Sequence, residues 1–270
     1  MMSSDGAPEH RNAENAQGRT SEDTGGQQVL AAAFPEIGAG GFTSRDGTIE
    51  FLSRVQALLQ PSMRVLEFGA GRGAGLQDDA VAFRRALRNL QGKVASVVAC
   101  DVDEAVLEHP AADETRVIQP DAPLPFPDAA FDLILADFVF EHIQDAALVS
   151  GELARVLKPG GWLCARTPNK YGPVSLVTRL IDNSRHSRLL RWAQPERKEI
   201  DVFPTAFRLN SLRDLRRWFP AERFEHFTYR YEPEPGYYFN NRVVLRLMLF
   251  LSWLLPPVMK TNLFVFLQKR

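Results

Sequence analysis

Between residues 48 and 167, short apolar segments alternate with amphipathic helical ones, and the first apolar segment runs into a cluster of glycines. Together these features predict an α/β chain built on a doubly wound sheet with parallel strands. Length and composition agree: 270 residues with 45% apolar and 24% charged side chains can bury the core of one large domain.

Residues 1–28 are polar, with neither the cationic start nor the apolar stretch of a secretory or transit segment, and read as a disordered tail before one domain at 29–270. Residues 48–59 show helical apolar spacing that stops before Pro61, and 63–71 (MRVLEFGAG) form a buried strand entering glycines. An amphipathic segment follows at 81–90. Strands are expected at 96–101, 116–119, 131–140 and 161–166, the last after the Gly160-Gly161 turn, with a helix at Ala147–Leu157. Beyond Thr167 the alternation breaks. A helix at 209–219, a strand at 224–232, an apolar run at 243–255 and a final strand at 263–269 remain, leaving two insertions, 168–208 and 233–260, too long for plain connections.

In Glu67-Phe68-Gly69-Ala70-Gly71-Arg72-Gly73, the glycines let backbone N–H groups approach a ligand that side chains would block. With Ala74 the stretch also fits a dinucleotide-binding pattern, which would make the chain an NAD(P)-dependent oxidoreductase. That pattern wants an acid about 20 residues downstream, whereas Asp101, at the end of the second strand, lies 32 residues after Gly69. Glu67 also puts a carboxylate under the loop, which favours a cationic ligand group over a pyrophosphate.

On VLEFGAGRG, ACDVDEAVL, DAPLPFPDAAFDLILADFVFEHI and ELARVLKPGGWLCARTPN, in that order, the chain resembles the class I S-adenosylmethionine-dependent methyltransferases, specifically the type 11 branch, over roughly residues 48–168. The resemblance implies a Rossmann-like sheet of seven strands, mostly parallel with an antiparallel last strand, and S-adenosyl-L-methionine as cofactor. It further implies that Gly69, Gly71 and Gly73 line the methionine part, with Glu67 setting their geometry. Asp101 would accept both ribose hydroxyls, as a carboxylate can. Val102 would lie on the adenine, Asp121 and Ala122 would meet its edge, and Asp137 and Phe138 would face the sulfonium and methyl. Residues 75–93 depart from the family pattern and are expected to lengthen one connection without touching a cofactor contact.

His142, just after the fourth strand, is the imidazole best placed to remove a proton from a hydroxyl acceptor. Asp103 reads as an N-cap for the segment holding Val106 and Leu107. His109, His186 and His226 are expected at the surface. The five His and two Cys fall at no metal-ligand spacing. Cys100 and Cys164 sit in strand-like runs and read as buried hydrophobes, which with the absence of a disulfide framework suggests a cytoplasmic protein.

A formal net charge of -1 excludes a uniformly basic, nucleic-acid-binding surface. The balance is uneven, since residues 171–270 hold 17 bases against 9 acids. The insertions are the candidate acceptor region; the first carries Tyr171, Arg179, Arg185, Arg188, Arg191, Trp192, Arg197 and Lys198, suited to a phosphate, a carboxylate or a stacked sugar. The run 243–255 is too short to span a bilayer. It reads as a buried packing helix or a homodimer surface, or else as a helix that serves the acceptor region or a membrane face peripherally. The reaction expected is methyl transfer to a small-molecule, sugar or lipid-linked acceptor at oxygen, with a non-catalytic cofactor-binding subunit as another alternative.

Overall fold

The computed structural model describes residues 28–173, 175–176, 205–236 and 238–270. Most of the expected N-terminal tail, and the candidate acceptor residues from Arg179 to Lys198, lie outside the described residues. The strands are β1 (Arg64–Phe68), β2 (Ser96–Asp101), β3 (Glu114–Val117), β4 (Phe131–Asp137), β5 (Leu157–Pro168), β6 (Phe224–His226), β7 (Tyr229–Tyr231) and β8 (Asn262–Lys269). They form one sheet in the order β3-β2-β1-β4-β5-β8-β6, with β7 also on β8. The first five strands are mutually parallel, and β8 runs antiparallel to β5, β6 and β7.

Eight strands stand where seven were expected because the segment 224–232 is interrupted. Phe224 pairs with Lys269 and Tyr231 with Asn262 in one unbroken register. At the break the Phe227 ring lies 5.4 Å from that of Trp162, while its N–H still donates to the Phe266 carbonyl at 2.9 Å. The fourth strand stops at Asp137, short of the expected residue 140, because Phe138 takes a left-handed backbone with φ of 58°.

The helices are α1 (Gly47–Leu58), α2 (Ala74–Gln77), α3 (Ala82–Arg88), α4 (Ala146–Val156), α5 (Leu212–Trp218) and α6 (Arg242–Leu254). Asp46 caps α1 by accepting from the Thr48 and Ile49 N–H groups at 2.9 Å each, a contribution of about 1 kcal/mol. Val65 and Leu66, neighbours on β1, enter two different buried clusters, one with Phe51, Leu52 and Phe264, the other with Phe131, Leu153 and Phe219. Both faces of the sheet are therefore covered, as a parallel sheet requires. Cys100 and Cys164 are buried free thiols, and burial pushes the Cys100 thiol up to about 12.

The surface placement expected for two histidines fails. His109 is buried against Gly73 and Glu67 rather than exposed, because the turn after β2 folds back under the glycine loop. His226 is partly buried as well, its Nε2 lying 2.7 Å from the Phe219 carbonyl. Of the readings open for 243–255, a buried packing helix is ruled out, because in α6 only Leu245 is buried. Among the described residues no helix is long and apolar enough to cross a membrane.

Candidate cofactor site

The carboxyl ends of β1, β2 and β4 open onto a cavity of about 710 Å³, within the range of small-molecule sites. Its wall brings together Gly69, Gly71, Asp101, Val102, Asp121, Ala122, Asp137, Phe138 and His142. Glu67 and Gly73 instead line a neighbouring cavity of about 190 Å³ on the other side of the glycine loop, which shares Phe68, Gly69, Ala70, Ala74 and Asp137 with the first.

The loop is built around close approaches. A side chain at Gly69 would strike Val139 at 2.4 Å, so that glycine is needed by the fold. At Gly71 the same construction meets nothing nearer than Asp101 Oδ2 at 3.9 Å, so that glycine leaves open the space beside the cavity. The Gly71 N–H donates to Asp101 Oδ2 at 2.7 Å and the Asp103 N–H to Asp101 Oδ1 at 3.0 Å. Each oxygen takes one backbone donor and keeps acceptor capacity for a hydroxyl. Asp103 caps the following turn through its bond from the Ala105 N–H, as its position suggested. Next to Asp101, the half-exposed Val102 offers an apolar surface, and Asp121 stands exposed on the adjoining loop. An open glycine, a diol-accepting carboxylate and an apolar shelf fit a nucleoside with an amino-acid extension.

Asp137 lies in the wall, but its carboxylate is bound. Arg166 holds it with Nε to Oδ1 and a terminal nitrogen to Oδ2, each 2.7 Å, and Arg88 adds a bond of 3.0 Å to Oδ2. Burial pushes this carboxyl up, yet the Arg166 and Arg88 guanidiniums outweigh it and keep the group below the usual range. It meets the cavity as one member of a cluster with two cations. Arg166 also donates to Thr48 and lies 4.6 Å from the centre of the Phe138 ring, which fixes that exposed aromatic. Residues 75–93 therefore do reach the site: Arg88, on α3, lines the smaller cavity opposite Glu67. No periodicity pointed to Arg88. A charge inside the buried run LCARTP was the signal for Arg166.

Glu67 is nearly enclosed, and burial raises its carboxyl to about 8, with Arg88 pulling down and Asp137 adding to the rise. His109 Nε2 lies 3.4 Å from Glu67 Oε2, and burial lowers the imidazole.

His142 sits on a single 3-10 turn, Phe140–His142, that is anchored on both sides. The buried Glu141 carboxylate accepts from the Thr167 hydroxyl at 2.9 Å, and Thr167 accepts from Asn210 at 2.6 Å. The Glu141 carbonyl takes the N–H groups of Ala206 and Phe207. This polar chain ties the His142 turn to the end of β5 and to the segment before α5.

A second cavity of about 660 Å³ adjoins the first, sharing Gln144 and Asp145; Lys170, Phe207, Arg208, Arg217 and Trp218 are also in its wall.

The family described as "Methyltransferase domain", type 11, matches residues 66–165. A protein of Mycolicibacterium smegmatis named as a probable S-adenosylmethionine-dependent methyltransferase is 38% identical over 109 residues, 39% of this chain and 38% of the relative. The chain thus spans about two fifths of that curated relative's length. A malonyl-[acyl-carrier protein] O-methyltransferase of Methylococcus capsulatus is 29% identical over 184 residues, 63% of this chain and 62% of the relative. Among solved structures, an S-adenosylmethionine-dependent methyltransferase from Mesorhizobium loti superposes with a TM-score of 0.50 at 16% identity, covering 80% of this chain and 96% of that one, a likeness of fold. Residues 66–165 thus match a methyltransferase domain of the type 11 family, and the relatives that share this stretch are named as S-adenosylmethionine-dependent methyltransferases.

Proposed function

We propose that this chain transfers the methyl group of S-adenosyl-L-methionine to an oxygen of a small-molecule, sugar or lipid-linked acceptor. The observation that carries the reading is the Asp101 carboxylate, held by the Gly71 and Asp103 N–H groups at the mouth of the cavity, with an acceptor site left on each oxygen. When bound, the cofactor supplies an electrophilic methyl on a sulfonium. Asp101 would hold the ribose, Val102 and the Asp121-Ala122 loop the adenine, and the loop of Gly69 and Gly71 the amino-acid part. Glu67, beneath the loop, would set the geometry of the glycines, and Gly73 would keep the backbone close. Phe138, pinned by Arg166, would shield the reacting face from water.

The acceptor would enter through the 660 Å³ cavity, whose Lys170, Phe207 and Arg208 come from the first insertion. His142, in the wall of the first cavity, would take the hydroxyl proton as the new carbon–oxygen bond forms. Alignment near 3 to 3.5 Å is the main demand of such a displacement, roughly the reach of a near-attack geometry. The named activity of the Methylococcus relative at oxygen supports the choice of acceptor atom.

The test is a screen with methyl-labelled S-adenosylmethionine against sugars, hydroxylated small molecules and lipid fractions, with calorimetry of S-adenosylhomocysteine and NADH in parallel. Label in an ether or ester supports the proposal. NADH binding without S-adenosylhomocysteine binding would restore the oxidoreductase reading. Cofactor binding with no transfer to any fraction would favour a non-catalytic subunit.

A further inference from the structure

Helix α6 carries apolar side chains on its outward side, unlike an ordinary surface helix. Leu245 is 1% exposed and faces the protein, while Val243 is 75% and Trp253 77% exposed. Leu247, Phe250, Leu251 and Leu254 lie on the same outward face, at the spacing that gathers side chains along one side of a helix. The charges on that side are Arg242 and Arg246. Ordinary surface helices turn their polar side outward. A contiguous apolar face of this kind on a folded protein marks an interaction surface.

The charge around it selects the occupant. No acidic residue occurs after Glu234, while Arg242, Arg246, Lys260, Lys269 and Arg270 do. Arg242 and Arg246 are exposed at the beginning of the helix. The Phe250 and Trp253 rings, with centroids 6.2 Å apart, form an aromatic pair on the outward side. Aromatic and aliphatic side chains on one face with arginines at its end suit the boundary between acyl chains and anionic headgroups.

The placement is also productive. The loop after α6 is fixed to the carboxyl end of β5, where Asn169 Nδ2 donates to the Val258 carbonyl at 2.9 Å and to the Lys260 carbonyl at 2.7 Å. The next residue, Lys170, is in the wall of the 660 Å³ cavity. We infer that α6 docks this chain, peripherally, on a bilayer surface carrying anionic lipid, with the cavity-bearing end of the sheet toward the membrane. The inference stands apart from methyl transfer, because it is read by partitioning alone.

The full chain is floated with vesicles of phosphatidylcholine alone and of phosphatidylcholine mixed with phosphatidylglycerol, at low and high salt. Binding to the mixed vesicles, weakened by salt, is expected. Arg242→Gln and Arg246→Gln should each lower partitioning about fivefold. Phe250→Ser/Trp253→Ser should lower it by at least about tenfold with the thermal midpoint unchanged, since both side chains are exposed. Wild type that does not float on the mixed vesicles overturns the inference. So does a concentration-dependent dimer that the double substitution dissolves without any vesicle binding, which would make the face a contact between copies. A large fall in thermal midpoint of the double variant, with no flotation of wild type, would assign the face to another segment of this chain and equally overturn it. S-adenosylhomocysteine affinity, measured on the same samples, reports separately on the cofactor site.

Discussion

The Gly71 N–H donates to Oδ2 of Asp101 at 2.7 Å, so the loop after β1 is tied to the carboxylate that ends β2. The bond orients the carboxylate toward the cavity before any ligand arrives, which removes an ordering cost from binding.

Asp101→Ala should weaken S-adenosylhomocysteine binding by about 1 to 3 kcal/mol, the range for losing a charge-assisted hydrogen-bond partner. Calorimetry measures it. Unchanged affinity would remove Asp101 from the site.

Gly71→Val and Gly69→Ala separate binding from folding. Both glycines have a left-handed backbone, φ 52° at Gly71 and 72° at Gly69, so either substitution lowers the thermal midpoint; at Gly71 the added atoms also enter space beside the cavity, and S-adenosylhomocysteine binding should be lost from a chain that still unfolds cooperatively. At Gly69 the added carbon strikes Val139 as well, and the thermal midpoint should fall further. Equal loss of stability in both would contradict this division.

The parts legible in the sequence are those that depend on neighbours along the chain. Asp101 and the glycines could be found because an acid and a tight turn each end an apolar strand, and the alternation of β1 to β5 gave their order. His109 was misplaced because its burial follows from Gly73 and Glu67, 36 and 42 residues earlier, and no local pattern records that approach. The Arg88–Asp137 contact joins residues 49 apart and was equally invisible. In α6 apolar residues surround almost the whole helix, so periodicity had no polar face from which to decide the inward side.

Glu67→Gln should change how stability depends on pH. The wild-type carboxyl moves from an ordinary 4.5 to about 8 in the fold, so across that window the unfolded chain holds fewer protons and wild-type stability falls as pH rises. The amide cannot ionise. Relative to wild type, the variant should therefore gain on the order of a few kcal/mol between pH 5 and pH 8. Denaturant titrations at the two values decide it, and parallel pH curves would mean that Glu67 is ionised in the fold.

Asp137→Ala leaves Arg166 and Arg88 facing one another without their shared carboxylate. Breaking a buried pair on one side costs about 3 to 5 kcal/mol, so urea denaturation at pH 7 should show a loss of that order. The wild-type carboxyl is held below its usual value, so its contribution persists at neutral pH and disappears as pH falls through the lowered value. The gap between variant and wild type should narrow on acidification. A constant gap would make the loss one of packing.

His142→Ala tests whether the turn after β4 carries a base or only shape. Glu141 and Thr167 hold that turn through their own bond, so the substitution should leave the backbone and S-adenosylhomocysteine affinity in place. With a hydroxyl acceptor found in the transfer screen, kcat should fall by about 10² to 10⁴, the usual range for a lost general base, with KM little changed. The acidic limb of the rate–pH profile that a general base produces should disappear. His142→Gln keeps a polar side chain but cannot cycle a proton, and it should remain as slow as the alanine variant. A glutamine variant at near wild-type rate would assign His142 to orienting the acceptor, and loss of S-adenosylhomocysteine binding in both variants would assign it to the cofactor.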